Sequence, residues 1–507
     1  MQLTSLLTAV MKISSRQMRR QFCRLLWMVG LSATLAAAAT PTLTLTPNTD
    51  PPSPTVGTPS IFQVAGSNFP VSVAVDIYWD SAQVALAVTS ATGAFSGINV
   101  TVPTTAVPGT HWVTAVAQNS SGSAAQASFT VQTNWSQFRY SSTHRGRNPY
   151  ENVLNTTNVG NIDVDWTFTT GGAITSSPAV SGGTVYVGSA DDYLYAVNAT
   201  TGALVWKFKT GNSITDSSPA VANGNVYIGS TDNNVYAVNA TTGAQVWKFA
   251  TGKAINSSPA VFNGVVYIGS TDDSVYAINA TTGAQVWKFT TGNAVTSSPA
   301  VANGMVYVGS TDDNVYAINL TTGAQVWKFT TGKAVSSSPA VSEEVVYIGS
   351  QDDNLYALNA RTGVEIWKYL AGGAVETPAV SGSTIYVGSD DGVLAWINAY
   401  TGTYITKETF SSAVVLTPTC YANGLVYVGN ANGYVFGFYI VVSAVEAWRA
   451  ATGAAITGAP TVANGVVYVA SQDFNLYAYD LNGGGQRRVS PPERPDPRAL
   501  RPDPALR

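Results

Sequence analysis

The hydrophobic and polar positions of the chain repeat from residue 173 onward, at a period of about 40 residues that is typical of β-propeller blades. The best-preserved element of the repeat is the run Val-Tyr-Val/Ile-Gly-Ser, which predicts a short buried strand. The run or a close variant of it occurs eight times and therefore predicts eight structural units. Its tyrosines are Tyr186, Tyr227, Tyr267, Tyr307, Tyr347, Tyr386, Tyr427 and Tyr468.

Each unit predicts four short strands separated by turn residues. In the first unit the strands are expected at 176–180, 184–189, 193–199 and 203–209. Glycine and Asp or Asn stand between them. These residues favour turns because glycine accepts a positive φ and the Asp or Asn side chain hydrogen-bonds to nearby backbone. Short strands joined by hairpin turns at regular spacing indicate a radial, all-β architecture.

The last strand of most units carries a tryptophan, which we assign as a structural residue. The sixth unit has Thr406 in this place, and the eighth unit ends before the strand begins. An orphan copy of the strand, at 163–169, precedes the first unit. If this copy completes the last blade, the two ends of the repeat region pair and the ring closes. The sequence thus predicts an eight-bladed β-propeller of four-stranded blades over 133–484. We expect these tryptophans to pack between its blades: Trp166, Trp206, Trp247, Trp287, Trp327, Trp367 and Trp448.

Residues 40–132 form a separate region ahead of the propeller. Apolar and polar side chains alternate, as at 71–78, between turns that contain proline and glycine. A length of about 90 residues suits a small β-sandwich.

Residues 1–39 have the pattern of a secretory signal peptide. Five basic residues precede an apolar run at 25–35, and four alanines follow at 36–39. A basic start, a short apolar run and small residues before the cleavage site are typical of such signals. The run is too short to span a bilayer well. We therefore expect a secreted protein, in the periplasm, at the cell surface or in the extracellular medium, without a membrane span.

Charge and cysteine content narrow the possible partners. Without residues 1–39 the chain has 20 basic and 29 acidic residues and a net charge of −9. This balance argues against nucleic acid or anionic lipid as partners, because both require clustered Lys and Arg. Cys23 precedes the apolar run, whereas a lipoprotein cysteine would follow it, so we expect no lipid anchor. Cys420 then has no partner for a disulfide.

The C-terminal residues 485–507 are rich in proline and contain six arginines and three acids. Such a composition buries too little apolar surface to offset its ordering entropy. We expect a disordered tail, and a docking strip is the alternative.

No catalytic, cofactor-binding or metal-ligating residue is assigned from the sequence. An active site should appear as a departure from the repeat, because catalysis needs unlike groups at one point. One set of acids recurs once in each of the first six units, and each is expected to bond to its own backbone in a hairpin turn. This set is Asp192, Asp232, Asp273, Asp313, Asp353 and Asp391.

A second set of charged residues consists of positions that do not recur from unit to unit. Most of them lie in the fifth to seventh units, and any specific site is expected there. Trp396 is interpreted there as a replacement of the usual tyrosine. His111 and His144 lie in different regions, so no histidine pair is expected to bind a metal. The charges are Glu343, Glu344, Arg361, Glu365, Glu376, Lys407, Glu408, Glu446 and Arg449.

The repeat unit resembles that of the PQQ-like β-propellers. It reads Gly-Ser-x-Asp-Asp-x-x-Tyr-Ala-x-Asn-Ala-x-Thr-Gly-x-x-x-Trp-Lys-Phe-x-Thr-Gly at 269–292, and again at 309–332 with Leu320 for the second alanine. The lead-in at 154–160 is similar to the entry of such propellers, and the resemblance covers residues 135–484. Residues 64–70 and 127–131 resemble bacterial Ig-like modules.

The resemblance implies one of two functional classes. The first is the quinoprotein dehydrogenases, which hold pyrroloquinoline quinone with Ca²⁺ near the axis through single Glu, Asn and Asp ligands. Many of them stack the quinone on a disulfide of adjacent cysteines, and this chain has no cysteine pair. The second is the non-catalytic propellers such as the BamB-type outer-membrane assembly factors, which are typically lipid-anchored.

The sequence favours a secreted, non-catalytic propeller that binds another protein at the bacterial envelope or cell surface. This hypothesis follows from the uniform repeats, the missing catalytic constellation and the export signal, and it assigns no cofactor. The alternatives are a quinoprotein dehydrogenase, dependent on pyrroloquinoline quinone and Ca²⁺ but lacking the cysteine pair, and a glycan-binding surface protein.

Overall fold

A computed structural model describes residues 40–51, 59–118, 123–410, 414–440, 443–483 and 494–496. The expected signal peptide at 1–39 lies outside these residues, as does most of the tail at 485–507. The described part is built almost wholly from β-strands, and a short 3-10 helix, Val159–Asn161, precedes the propeller. Within it, no helix has the length and apolar character that a membrane crossing requires.

The first eight strands form two sheets around one core. The strands are β1 (Thr42–Thr46), β2 (Thr49–Asp50), β3 (Ile61–Ser67), β4 (Ala74–Trp79), β5 (Ala82–Val88), β6 (Phe95–Thr101), β7 (Gly109–Ala117) and β8 (Ala124–Val131). One sheet has the order β1-β3-β6 and the other β2-β8-β7-β4-β5. Phe62 and Phe129, one from each sheet, are fully buried with ring centroids 4.5 Å apart. The region is a small sandwich, and its likeness to bacterial Ig-like modules stays a prediction.

Eight further sheets follow in the described residues. The short β9 (Arg147–Asn148) and β10 (Asp163–Thr169) come first. The first three sheets are β11 (Ala179–Ser181), β12 (Thr184–Gly188), β13 (Tyr193–Asn198) and β14 (Leu204–Lys209); β15 (Ala220–Ala222), β16 (Asn225–Gly229), β17 (Asn234–Asn239) and β18 (Gln245–Ala250); and β19 (Ala260–Phe262), β20 (Val265–Ser270), β21 (Ser274–Asn279) and β22 (Gln285–Thr290).

The fourth to sixth sheets have the same four-stranded order. They are β23 (Ala300–Ala302), β24 (Met305–Gly309), β25 (Asn314–Asn319) and β26 (Gln325–Thr330); β27 (Ala340–Ser342), β28 (Val345–Gly349), β29 (Asn354–Asn359) and β30 (Glu365–Leu370); and β31 (Ala379–Ser381), β32 (Thr384–Gly388), β33 (Val393–Asn398) and β34 (Tyr404–Thr409).

The last two sheets each include a strand from the lead-in. The seventh contains β35 (Cys420–Ala422), β36 (Leu425–Gly429), β37 (Tyr434–Ile440) and β38 (Ala444–Ala451), and β9 pairs in parallel with β35. The eighth contains β39 (Thr461–Ala463), β40 (Val466–Ala470) and β41 (Asn475–Asp480). Its fourth strand is β10, which pairs antiparallel with β41 as the orphan copy predicts. Innermost strands contact their neighbours in sequence, and β11 contacts β39, so the sheets form a closed propeller.

The repeat tryptophans lie between neighbouring blades. Trp247 is 7% exposed, and its indole N–H donates to the Ala280 carbonyl of the next blade at 2.9 Å. Its ring lies against Gly283, which has φ +73° and where an added Cβ would come within 2.9 Å of the indole. Glycine is therefore required in the Thr-Gly turn of the repeat for two reasons: the backbone has a positive φ, and the tryptophan beside it leaves no room for a side chain. Six other tryptophans donate the same kind of bond: Trp166, Trp206, Trp287, Trp327, Trp367 and Trp448.

Trp396 does not occupy the tyrosine position, and that interpretation was wrong. In the sixth blade Trp396 pairs across the strands with Thr406, whereas in the fifth blade Ala357 pairs with Trp367. The large and the small residue have exchanged strands, so the indole is supplied by β33 instead of β34. Trp396 is fully buried, which keeps the volume between the blades filled.

Candidate functional site

Residues 135–148, which we call the axial segment, pass the innermost strand of every blade in turn. These innermost strands are sheet edges, so their backbone groups require partners from elsewhere. The segment provides one partner in each sheet at 2.6–2.8 Å. The pairs are Trp135 with Val180, Ser136 with Val221, Gln137 with Val261, Ser142 with Val301, Thr143 with Val341, Arg145 with Val380, Gly146 with Tyr421 and Asn148 with Val462.

Arg139 is buried at the centre of the axial segment, with 1% of its surface exposed. Its guanidinium donates to the Pro378 carbonyl at 2.6 Å and to the Thr419 carbonyl, which belong to the sixth and seventh blades. Burial lowers the pKa of Arg139 to about 10, so the group remains charged at neutral pH. Gly146, at φ +59°, packs so closely on this guanidinium that a Cβ there would overlap it.

A ring of hydroxyl groups joins the blades next to Arg139, and we call it the hydroxyl girdle. In each step the backbone N–H of one blade donates to the side-chain oxygen of the next blade at 2.8–2.9 Å. The acceptors are Ser177, Ser218, Ser258, Ser298, Ser338 and Thr377.

The girdle is interrupted in the seventh and eighth blades, where Pro418 and Ala459 occupy the position of the hydroxyl residue. Pro418 has no side-chain oxygen to accept the next bond. The two carbonyls that Arg139 bonds belong to Pro378 and Thr419, which directly follow Thr377 and Pro418. The buried cation thus joins the sixth and seventh blades where the hydroxyl contact is missing.

An open cavity of about 710 Å³ lies over the girdle at the axis. Girdle residues and Phe138 of the axial segment line it together with residues of the loops that precede the innermost strands. Asn256 and Thr296 also line it, and each has an enclosed side-chain oxygen that bonds to none of the described residues. The charged groups of the lining are Asp216, Lys333, Glu376 and Asp390.

Glu376 is the departure from the repeat that the structure brings into this cavity. In six of the seven other blades the same position is a hydroxyl residue that accepts a glycine N–H, as Ser217 does from Gly229 at 3.0 Å, and in the eighth blade it is Gly458. Burial and the neighbouring Asp390 raise the pKa of Glu376 to about 7, and the Thr377 N–H and Arg139 oppose this shift. Glu376 is half-buried and lines the cavity, and desolvation of its carboxylate outweighs the effect of the nearby guanidinium.

The remaining one-off charges do not converge on the cavity. Arg361 and Glu344 form an exposed ion pair at 2.6 Å, and Arg449 and Glu446 form another at 3.6 Å. Exposed pairs of this kind contribute little to stability. Of that set, Glu376 is the residue that lines the cavity, and a specific site in the fifth to seventh units stays a prediction. Comparing the Ser-Ser-Pro-Ala sequences before each innermost strand would have singled out both Glu376 and Pro418.

The recurring turn acids occupy two different positions of the turn. Asp232 bonds to its own backbone as expected, since its Oδ1 accepts the Asn234 N–H at 2.9 Å. Asp192, Asp273, Asp313 and Asp353 are turn residues with φ between +65° and +75°. The acid one position earlier in the turn accepts bonds from a tyrosine hydroxyl and from a glycine N–H of the preceding blade. In the second blade this acid is Asp232. These acids are Asp191, Asp232, Asp272, Asp312, Asp352 and Asp473.

Neither histidine nor the described cysteine offers catalytic chemistry. His111 lies in the sandwich, bonded to Asp80 at 2.8 Å. His144 is fully buried in the axial segment, where burial and Arg139 lower its pKa to about 3. Burial raises the pKa of Cys420 to about 12, so its reactive thiolate is not formed at neutral pH.

The cavity does not supply the ligands that Ca²⁺ and a quinone cofactor would need. Among the described residues no three His, Cys, Asp or Glu side chains come together in a metal-binding group. A Ca²⁺ ion takes six to eight oxygens at about 2.3–2.6 Å. Of the acids that line the cavity, Glu376 and Asp390 are neighbours in the sixth blade, whereas Asp216 lies in the second blade.

Glu376 should make the stability of the propeller depend on pH. Its pKa is raised from 4.5 to about 7, so between these values the folded state holds more protons than the unfolded state. Stability therefore falls as pH rises through this range. We expect Glu376→Gln to remove this fall and to raise the free energy of unfolding at pH 8 by at most about 3 kcal/mol. Denaturant unfolding at pH 4.5 and pH 8 measures the difference. Glu344→Gln, in an exposed pair, is the matched control, and equal pH profiles for the two variants would contradict the assignment.

The sequence and the structure both have relatives among known proteins. A family model described as outer membrane protein assembly factor BamB matches residues 158–253 and 231–374. No curated protein sequence matches the chain. Of the solved structures, BamB from Moraxella catarrhalis is 18% identical with a TM-score of 0.56, over 63% of this chain and 99% of that one.

Two other solved structures have the same fold. A computationally designed protein, Ika8, is 19% identical with a TM-score of 0.56, over 62% of this chain and 97% of that one. A quinohemoprotein alcohol dehydrogenase from Comamonas testosteroni is 14% identical with a TM-score of 0.61, over 71% of this chain and 82% of that one. At these identities the likeness shows the fold.

The repeat sequence, the family model over the first five blades and the structural likeness agree with one another. The resemblance seen in the sequence is confirmed for the propeller. The propeller is therefore similar to the PQQ-like repeat β-propellers, by the family model over residues 158–253 and 231–374 and by its fold.

Proposed function

We propose that the protein is a non-catalytic binding propeller of the bacterial envelope, which holds a basic segment of a partner protein at the open axial cavity. The observation that carries this proposal is the cavity of about 710 Å³ with Glu376 facing it. Beneath the cavity the axis is filled by the protein's own axial segment, in which Arg139 and His144 are buried. A partner can therefore enter from one side only.

The charge of the cavity favours a cationic group. Three acids, Asp216, Glu376 and Asp390, face one base, Lys333. Glu376 is half protonated near neutral pH because burial disfavours its charge, and Asp390 adds to this effect. A lysine or arginine of a partner would stabilise the carboxylate and lower its pKa. Binding should therefore be accompanied by proton release and should be tighter at pH 8 than at pH 6.

The proposed location in the envelope rests on two separate supports. The sequence of residues 1–39 has the pattern of an export signal. The matching family model is described as an outer membrane assembly factor, and the described residues contain no helix suited to a membrane crossing. We propose export, followed by a role at the periplasmic or outer face of the envelope.

A pull-down from envelope extract tests the proposal. The baits are the chain from residue 40 onward, Glu376→Gln, Asp390→Asn and the double variant, with Glu344→Gln as the matched control for loss of an exposed carboxylate. We expect a partner retained in near-equal amount by the parent and by Glu344→Gln, and at least tenfold less by the double variant. Equal retention by all baits would place the contact away from the cavity, and no retained protein would contradict a scaffolding role.

A titration with pyrroloquinoline quinone and Ca²⁺ tests the dehydrogenase alternative directly. The described residues do not provide the ligand set, so we expect no saturable binding and no alcohol or sugar oxidation. Near-stoichiometric binding with turnover would overturn the non-catalytic proposal.

A further inference from the structure

A short piece of the C-terminal tail lies on the sandwich. The Arg494 guanidinium stands 4.5 Å from the centroid of the Trp112 ring, and its Nε donates to Gln126 Oε1 at 2.7 Å. Gln126 Nε2 in turn donates to the Pro495 carbonyl at 2.7 Å. The sequence alone left docking open as the alternative to disorder, and these residues make specific contacts.

The contacted surface is the outer face of the five-stranded sheet. Val113 and Ala115 of β7 belong to the core, so Trp112 and Thr114 project from the opposite face. Thr114 pairs with Tyr78 on one side and with Gln126 on the other, so all three lie in one row across the sheet. Gln126 also donates to Thr114 Oγ1 at 3.0 Å, which orients its amide toward the docked segment.

This face also contains buried polar groups. Asp76, Tyr78 and Thr114 are exposed by 4% or less, so neighbouring side chains cover this part of the face. Asp76 Oδ2 and the Tyr78 hydroxyl have no hydrogen-bond partner among the described residues. Buried polar atoms without a partner are rare in native structures, so these two are available to polar groups of a docked segment.

Charge and composition match the segment to the face. Residues 40–132 contain three aspartates and no Glu, Lys or Arg, whereas residues 485–507 contain six arginines against three acids. A planar guanidinium stacks on an indole in a way that a lysine ammonium does not reproduce. Proline fixes the segment in an extended form and so lowers the entropy lost on docking.

The tail contains the contacted sequence twice. Arg-Pro-Asp-Pro occurs at 494–497 and again at 501–504. We propose that the Trp112–Gln126 face is a docking site for Arg-Pro-Asp-Pro sequences, and that its occupant is the chain's own tail through residues 494–496. The tail then closes the chain on itself, from the last blade back to the N-terminal sandwich. A free peptide can reach the face only in competition with this tethered copy.

Peptide binding to the full chain tests the site. The probe is a fluorescent peptide of residues 491–504, and the readout is its anisotropy. In the full chain with Arg494→Ala and Arg501→Ala the face is vacated, and we expect saturable binding. The unsubstituted chain should bind the peptide at least tenfold more weakly, because its own tail is present at a high effective concentration. Equal affinity for the two chains would overturn the assignment of the tail as occupant.

Two further variants test which residues form the site. Adding Trp112→Ala or, separately, Gln126→Ala to the vacated chain should weaken peptide binding at least tenfold, and a peptide with both arginines changed to lysine should bind as weakly. Adding Glu376→Gln, in the axial cavity, should leave peptide binding unchanged, which separates this site from the proposed function. Full affinity in both the Trp112 and the Gln126 variants would overturn the site.

Discussion

Replacing Arg139 with methionine is expected to lower the free energy of unfolding of the propeller by about 3–5 kcal/mol. The guanidinium donates to two buried carbonyls, of Pro378 and Thr419, on neighbouring blades. Methionine has a similar length but no donor, so both carbonyls would lose these bonds in a buried environment. Gly146, which packs on the guanidinium with φ +59°, would also lose its contact.

Denaturant unfolding of the propeller transition at pH 7 measures this effect. Arg361→Met is the matched control, because Arg361 is in an exposed ion pair with Glu344 and its loss should change stability by less than about 1 kcal/mol. Arg139→Lys tests the geometry, since one ammonium cannot reproduce the two-pronged guanidinium contact. A loss below about 1 kcal/mol for Arg139→Met would show that the seventh blade is held without the guanidinium.

Trp166→Ala is expected to lower the free energy of unfolding by about 3–5 kcal/mol, as is typical when a large aromatic side chain is removed from a core. Trp166 is 9% exposed and lies in β10, the strand that completes the eighth blade. Its indole donates to the Ala199 carbonyl of the first blade at 3.1 Å and packs on Tyr468 at 5.9 Å between ring centroids. The substitution therefore weakens the junction at which the ring closes.

Val164→Ala is the control for this variant, since Val164 is on the same strand and 39% exposed. We expect it to cost less than about 1 kcal/mol. Trp166→Phe should fall between the two, because it keeps part of the packing and loses the indole N–H. If Trp166→Ala and Val164→Ala have the same unfolding midpoint, β10 does not close the ring in the way that the pairing indicates.

The departures from the repeat are of two kinds. At Trp396 and Thr406 the sixth blade exchanges a large and a small residue between adjacent strands, which preserves the packing and has no further consequence. At Glu376 and Pro418 the sixth and seventh blades lack the usual hydroxyl residues. Both positions line the acidic cavity, and the buried Arg139 bonds to the backbone beside them. Only the second kind changes the chemistry at the axis.

The blades could be predicted from the sequence because their structure is local. Strands of five or six residues joined by hairpin turns leave a periodic pattern of apolar residues, glycine and Asp or Asn, and the orphan Trp166 strand indicated how the ring closes. The turn glycine beside each tryptophan, such as Gly283, is explained by the same local geometry. The amino-acid sequence by itself therefore determined the all-β fold and the family resemblance.

The axial segment and its consequences were decided by tertiary structure alone. Residues 135–148 have no periodic pattern, because most of their bonds to the blades are made by backbone groups, which every sequence possesses. The burial of Arg139 cannot be read from its sequence neighbours, since its partners lie 239 and 280 residues away. The contact of Arg494 with Trp112 likewise joins the C-terminal tail to the N-terminal sandwich. Local pattern thus determined the blades, and long-range contacts determined what fills the axis and what covers the sandwich.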